Sequence, residues 1–183
     1  MKTFLEKELT EYKCLPTGIW DTKCFACGKN NPEGLHMKFY TDEKSVFSEL
    51  VISETKRGWD QVVHGGILST ILDEIMAWAA IYLTENIMLT KNMTVNYIKP
   101  VHIEKQISTI GWLHERKGPR EAVLKAEIYD ENNQLCTEAV GTYALFSTKL
   151  AKKLQLMNEE SLNKFEEFIE ACNPMSLSRQ PRP

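Results

Sequence analysis

The run Gly65-Gly66-Ile67-Leu68-Ser69-Thr70-Ile71-Leu72-Asp73-Glu74-Ile75-Met76-Ala77-Trp78-Ala79-Ala80-Ile81-Tyr82-Leu83-Thr84 is the one long apolar element of the chain. Ile67, Leu68, Ile71, Leu72, Ile75, Met76, Ala79 and Ala80 recur at helical spacing. Trp78, Ile81, Tyr82 and Leu83 fill much of the remaining circumference. A helix that is apolar nearly all round is a buried one.

Strand-like runs lie on both sides of it. Leu35–Tyr40 and Val46–Ile52 come first, separated by Thr41-Asp42-Glu43-Lys44. Leu35, Met37 and Phe39 alternate with His36, Lys38 and Tyr40, the period of a half-buried strand. Met93–Ile98, Ile107–Leu113, Ala122–Tyr129 and Leu135–Phe146 follow, joined by turn-forming segments suited to antiparallel hairpins. The order predicts an α+β fold, an antiparallel sheet wrapped around one long central helix. One sheet cannot enclose a helix completely, so the open side is expected to meet a second copy. The sequence divides into an N-terminal part (1–23), the main domain (24–147) and a C-terminal helix with a disordered tail (148–183), and Leu15 to Gly34 reads as an irregular lead-in to the first strand. In that last part Asn158 is a capping residue, and Leu162, Phe165, Phe168 and Ile169 form an apolar stripe.

Composition narrows the function classes. The 183 residues are 43% hydrophobic and 26% charged, with a formal net charge of -3. No basic block or stripe appears, which argues against a nucleic-acid partner. The longest uninterrupted apolar run, Ile75 to Leu83, is nine residues, against roughly twenty for a membrane span. Met1 to Lys13 lacks the apolar centre of a signal peptide, so a cytoplasmic location is expected. Five cysteines in a chain of this size do not make a disulfide framework. Cys24-Phe25-Ala26-Cys27 has the spacing of a zinc knuckle or a redox dithiol, but Cys14 and His36 are the only further ligands near it in sequence. The expectation is two buried thiols in a loop, with no metal and no cofactor.

The chemistry-bearing stretch runs from His64 to Glu74. Two glycines at a helix start let a ligand approach the backbone, and first-turn N–H groups have no intrahelical partners. Such an end attracts an oxyanion, which makes Gly65 and Gly66 candidates for contacting substrate. Asp73 and Glu74 sit in the same apolar helix, and a buried carboxylate is costly unless it is bonded or paired. A purely structural reading has Asp73 bonded to Ser69 or Thr70. Glu74 points roughly 100° away from Asp73, and a structural hydrogen bond is its expected role. Gly65 and Asp73 are separated by ~12 Å along one helix, so a carbonyl touching both must lie between two chains.

Several spaced motifs together carry a resemblance. Cys24-x-x-Cys27-Gly28-x-x-Asn31-Pro32-x-Gly34-Leu35, then His64-Gly65-Gly66, then Asp73, resembles the hotdog-fold acyl-CoA thioesterases of the phenylacetate-pathway (PaaI-like) type. So does Thr90 seven residues before Tyr97, ahead of Lys99-Pro100. The resemblance covers roughly residues 24 to 147. It implies a hotdog fold and hydrolysis of an acyl-CoA thioester, coenzyme A being part of the substrate. It implies Asp73 as nucleophile or general base, the Gly65 N–H as oxyanion donor, and Thr90 as the hydroxyl that places water. It further implies a homodimer with sites at the interface, or a homotetramer of such dimers. One departure concerns substrate choice. Many relatives carry an amide side chain six or seven residues before the histidine, where this chain has Gly58 and Arg57.

Secondary candidates follow from the same comparison. His64 is a proton carrier or the residue that shapes the helix start. Arg116, Lys117 and Arg120 are either a solvated turn or, as in the resembling family, a contact for the CoA phosphates. Asn96 is a candidate substrate contact, and Trp59 and Trp78 are read as core or pocket wall. Two other functions fit the fold, a non-enzymatic acyl-CoA sensor and a hydroxyacyl-CoA dehydratase. The first needs an output module. The second needs a paired acid and base, and His64 and Asp73 are nine positions apart.

Overall fold

The computed structural model describes residues 11–19 and 23–172. The strands are β1 (Lys13–Cys14), β2 (Tyr40–Thr41), β3 (Ser45–Val51), β4 (Arg57–Trp59), β5 (Val62–Val63), β6 (Ile87–Tyr97), β7 (Gln106–Arg116), β8 (Glu121–Tyr129) and β9 (Leu135–Phe146). The helices are α1 (Gly65–Thr84), α2 (Thr148–Lys153) and α3 (Glu159–Cys172). Seven strands form one antiparallel sheet in the order β1-β2-β3-β7-β8-β9-β6, while β4 and β5 pair as a separate small hairpin. The polar tail from Ser176 onward, expected to be disordered, lies outside the described residues.

Helix α1 keeps the bounds its periodicity predicts and crosses the sheet's inner face, touching β3, β6, β7, β8 and β9. Ile71, Leu72, Ile75, Met76, Ala79 and Ala80 are fully buried there. Gly111 on β7 sets the closest approach, because a Cβ at that position would lie 2.7 Å from the Ile75 carbonyl oxygen. By length and composition alone α1 could cross a bilayer, but here it is the core helix of the sheet.

Two features differ from the sequence expectation. The run Leu35–Tyr40 buries Met37 and Phe39 as its alternation predicts, yet it is a strand only at Tyr40–Thr41. His36 adopts a φ of 52°, which breaks a strand, and Leu35 and Met37 bond the carbonyls of Phe25 and Ala26. The second difference concerns the flank of α1 that the sheet leaves open. The chain covers it with its own lead-in and α3. Trp78 stacks on Phe39 at 5.1 Å between ring centroids and meets the Phe168 edge at 5.2 Å. Asn158 caps α3, accepting the Ser161 N–H at 2.8 Å, and Leu162, Phe165 and Phe168 of the stripe are buried.

Because Phe168 is fully buried against Trp78, Phe168→Ala is expected to cost about 3–5 kcal/mol of stability. Chemical denaturation measures it. A loss under about 1 kcal/mol would mean that α3 does not seal the core.

Candidate active site

The site is built on the two ends of the first half of α1. His64 caps the helix, its Nδ1 accepting the Gly66 N–H at 2.9 Å. The N–H groups of Ile67 and Leu68 reach the His64 carbonyl at 2.9 and 3.3 Å. Gly65 is therefore the first-turn residue whose N–H meets no acceptor among the described residues. Its carbonyl is held from outside, accepting from the Tyr97 hydroxyl at 3.0 Å and the Ser69 hydroxyl at 3.1 Å. The imidazole of His64 is thus engaged in shaping the helix start.

Two turns further on, Asp73 faces the sheet. Its Oδ1 accepts hydrogen bonds from Thr90 Oγ1 and from the Tyr143 hydroxyl, each at 2.9 Å. Among the described residues no donor faces Oδ2. The two hydroxyls arrive together because Thr90 on β6 is paired directly with Tyr143 on β9. A register shift between Thr90 and Asn92 marks a bulge there, a device that re-aims side chains. Tyr143 is fully buried. Burial first, and the Asp73 charge second, hold its phenol well above the ordinary tyrosine range, so it stays a proton donor in the hydrogen bond.

Ser69 and Thr70 do not bond Asp73. They donate to the Gly65 and Gly66 carbonyls one turn back, at 3.1 and 2.9 Å. Glu74 lies on the opposite flank of α1, where the Trp78 Nε1–H donates to its Oε1 at 2.9 Å. Burial, then the electrostatic influence of Cys24, push the Glu74 carboxyl up to about 7. Cys24, Cys27 and Glu74 are the one group of metal-ligating side chains within reach of one another among the described residues.

The basic hairpin sits at the same end of the sheet as Asp73. Arg116, Ala122, Tyr143 and Thr90 form one cross-strand row through β7, β8, β9 and β6. Three strand spacings put Arg116 ~14 Å from Thr90, and Lys117 and Arg120 follow in the exposed turn. Asn96 is not part of this group. On the strand face away from α1, it donates to Glu138 Oε1 at 3.1 Å. Trp78 is core, as expected, but Trp59 is 85% exposed on the β4–β5 hairpin.

The hydrogen bonds of Tyr143 to Asp73 and of Tyr97 to the Gly65 carbonyl are contacts that the sequence alone did not assign. Both were legible in part. A tyrosine at an inward position of a strand needs a partner for its hydroxyl, and Tyr143 finds it in the half-buried Asp73.

Residues 60–137 match the family model described as the Thioesterase superfamily. A Saccharolobus solfataricus protein, provisionally described as an esterase, is 29% identical over 100 residues, which span 54% of this chain and 69% of that one. The PaaI protein of the E. coli phenylacetic acid degradation operon superposes with a TM-score of 0.56 at 14% identity, over 62% of this chain and 81% of that one. A Streptococcus mutans protein bound to acetyl-CoA superposes with a TM-score of 0.57 at 18% identity, over 61% of this chain and 89% of that one. Fold and site define the class as a hotdog-fold α+β protein. Over residues 60–137 the chain is similar to the thioesterase superfamily, and this likeness, with the esterase-like relative, supports a thioester hydrolase.

Tyr143→Phe removes one of two hydrogen bonds to the carboxylate and leaves the ring's packing in place. If Asp73 acts in the reaction, kcat should fall about tenfold with KM little changed. Steady-state kinetics on the folded variant checks this, and unchanged kcat would reduce Tyr143 to a packing role.

Proposed function

We propose that this thioester hydrolase acts on acyl-CoA, with Asp73 as its catalytic carboxylate and the Gly65 N–H as oxyanion donor. The observation that carries the reading is the asymmetry of Asp73. Two hydroxyls fix Oδ1, and Oδ2 is left to attack the thioester carbonyl or to take a proton from water. Little else is needed, because a thiol with a pKa near 8.5 leaves as thiolate without a general acid. Arg116, Lys117 and Arg120 are the proposed contacts for the CoA phosphates. The acetyl-CoA bound to the S. mutans protein supports this ligand class.

The site is proposed to form between two protomers. The ~12 Å between Gly65 and Asp73 along α1 separates donor and carboxylate within one chain. Strand β6 supports the assembly, since it is an edge of the sheet with Leu89 and Tyr97 about half exposed. Exposed edges are templates for further pairing. An antiparallel β6–β6 ladder centred between Met93 and Thr94 would set Thr90 of one protomer opposite the partner's Tyr97. Thr90 bonds Asp73, and Tyr97 bonds the Gly65 carbonyl. That register brings the carboxylate of one chain to the helix start of the other.

Asp73→Asn should lower kcat for acyl-CoA by roughly 100-fold or more. Gly65→Pro should also be inactive, since it removes the N–H at a helix position where proline is tolerated. Mixed dimers of the two variants should recover about half of wild-type activity, because one of their two sites carries neither defect. Verified mixed dimers that stay inactive would exclude the shared site, and near-normal turnover by Asp73→Asn would exclude the carboxylate.

Arg120→Ala should raise KM for acyl-CoA while leaving a short thioester without the nucleotide nearly unaffected. Phosphate contacts bind ground and transition states alike, so KM moves more than kcat. Equal effects on both substrates would make Arg120 structural.

A further inference from the structure

The lead-in carries a second constellation that the proposed hydrolysis does not use. Cys24 and Cys27 flank a tight turn closed by the Gly28 N–H on the Cys24 carbonyl at 2.9 Å. Gly28 is required there, because a Cβ would lie 2.5 Å from both the nitrogen and the oxygen of Cys24. The turn rests on the flank of α1 that bears Glu74. The two sulfurs and a Glu74 carboxylate oxygen all lie within 4.8 Å of one another. Cys24 Sγ is 3.9 Å from Glu74 Oε1.

We propose that Cys24, Cys27 and Glu74 form a binding site for a divalent transition-metal ion of the zinc class, which fastens the lead-in to α1. Tetrahedral zinc, with Zn–S of about 2.3 Å and Zn–O of about 2.0 Å, sets S···S near ~3.8 Å and S···O near ~3.5 Å. With Cys24 Sγ 3.9 Å from Glu74 Oε1 and all three atoms within 4.8 Å, the groups need to close by between about 0.4 and about 1.3 Å at most to reach those values. Two sulfurs with one carboxylate select zinc-like ions over magnesium or calcium, which prefer oxygen alone. Trp78 supplies the outer support, its N–H fixing the carboxylate's orientation as second partners do for metal ligands. Charge points the same way. Among the described residues no lysine, arginine or histidine forms an ion pair with Glu74, and a buried carboxylate is stabilised by a cation or a metal. The fourth coordination position is assigned to water. A cavity of 450 Å³ bordered by Cys27, His36 and Met37 opens beside the pair and admits solvent.

Binding displaces one proton from each thiol, so affinity falls as pH is lowered. Glu74 comes to the pair from 50 residues away, which is why spacing alone does not reveal a third ligand. The site lies behind α1, away from Thr90 and Tyr143, and its proposed role is to hold the lead-in in place.

The test uses the full chain, reduced and stripped of metal, titrated with Co²⁺ and then with Zn²⁺. One Co²⁺ per chain should bind with thiolate-to-cobalt charge-transfer absorption and tetrahedral ligand-field bands, and Zn²⁺ should displace it. Cys24→Ser and Cys27→Ser should each lose about half of the charge-transfer intensity, while Cys14→Ser keeps all of it. Glu74→Gln should keep both thiolate contributions yet weaken Zn²⁺ binding at least tenfold. At one fixed concentration Zn²⁺ should raise the Tm of the wild type and of Cys14→Ser more than that of the other three variants. Absence of the cobalt spectrum in the reduced wild type overturns the site, as does a Cys24–Cys27 disulfide that yields no metal binding once reduced. Unchanged Zn²⁺ affinity in Glu74→Gln overturns it too, and that near-isosteric variant decides the matter even if the serine variants misfold. None of these readouts depends on thioester hydrolysis.

Discussion

Adjacent residues on an α-helix point about 100° apart, and α1 places two half-buried carboxylates, Asp73 and Glu74, side by side at the margin of the core. Both are half-buried on the helix, so each is met by the wall it faces. The sheet supplies Thr90 and Tyr143 to one. The lead-in and α1's own next turn supply the thiols and Trp78 to the other. Much of the surrounding architecture answers to this demand. The register of β6 on β9 brings two hydroxyls to one oxygen, and the turn around Gly28 brings two sulfurs to the opposite flank.

The two walls are not equivalent in cost. Asp73 is partly exposed and receives hydrogen bonds from two hydroxyls. Glu74 receives one N–H and faces weak thiol donors, and its carboxyl is held up to about 7. Thus neighbouring groups of nearly identical chemistry acquire different roles from their environments alone. The contrast depends on α1 staying in register with the sheet, which the contact at Gly111 and the burial of Ile75 and Met76 enforce.

Legibility in the sequence followed burial. The bounds of α1 and β9 could be read directly, because both are long and their side chains have a persistent inside. Strand β6 was legible only from Met93 onward, whereas it begins at Ile87. It is an edge strand with most side chains exposed, so its first half has no alternation to read. Met37 and Phe39 were correctly placed inside, but the hydrogen bonds of that segment go to the lead-in, and no residue pattern announces the φ of His36. At the proposed site, Asp73, Gly65 and Thr90 were reached through the resemblance that the spaced motifs carry. Tyr143 required knowing which strand lies opposite Thr90, and Asn96 was misplaced because the bulge at Thr90–Asn92 alters which side chains of β6 face α1.

The lead-in and α3 change what the fold must achieve through assembly. A sheet with one helix leaves a flank of that helix open, and a second copy is one way to cover it. Here Trp78 is already sandwiched between Phe39 and Phe168, so the hydrophobic demand of α1 is met within the chain. What remains unsatisfied is the free edge of β6, where exposed apolar side chains stand beside backbone groups open to pairing. In the proposed dimer the contact is therefore driven by strand pairing at that edge, and core burial is not its purpose. The same edge carries Thr90 and Tyr97, the residues that hold Asp73 and the start of α1. A protomer can then fold completely and still lack a full site, since the piece it lacks is a hydrogen-bond donor ~12 Å away along its own helix.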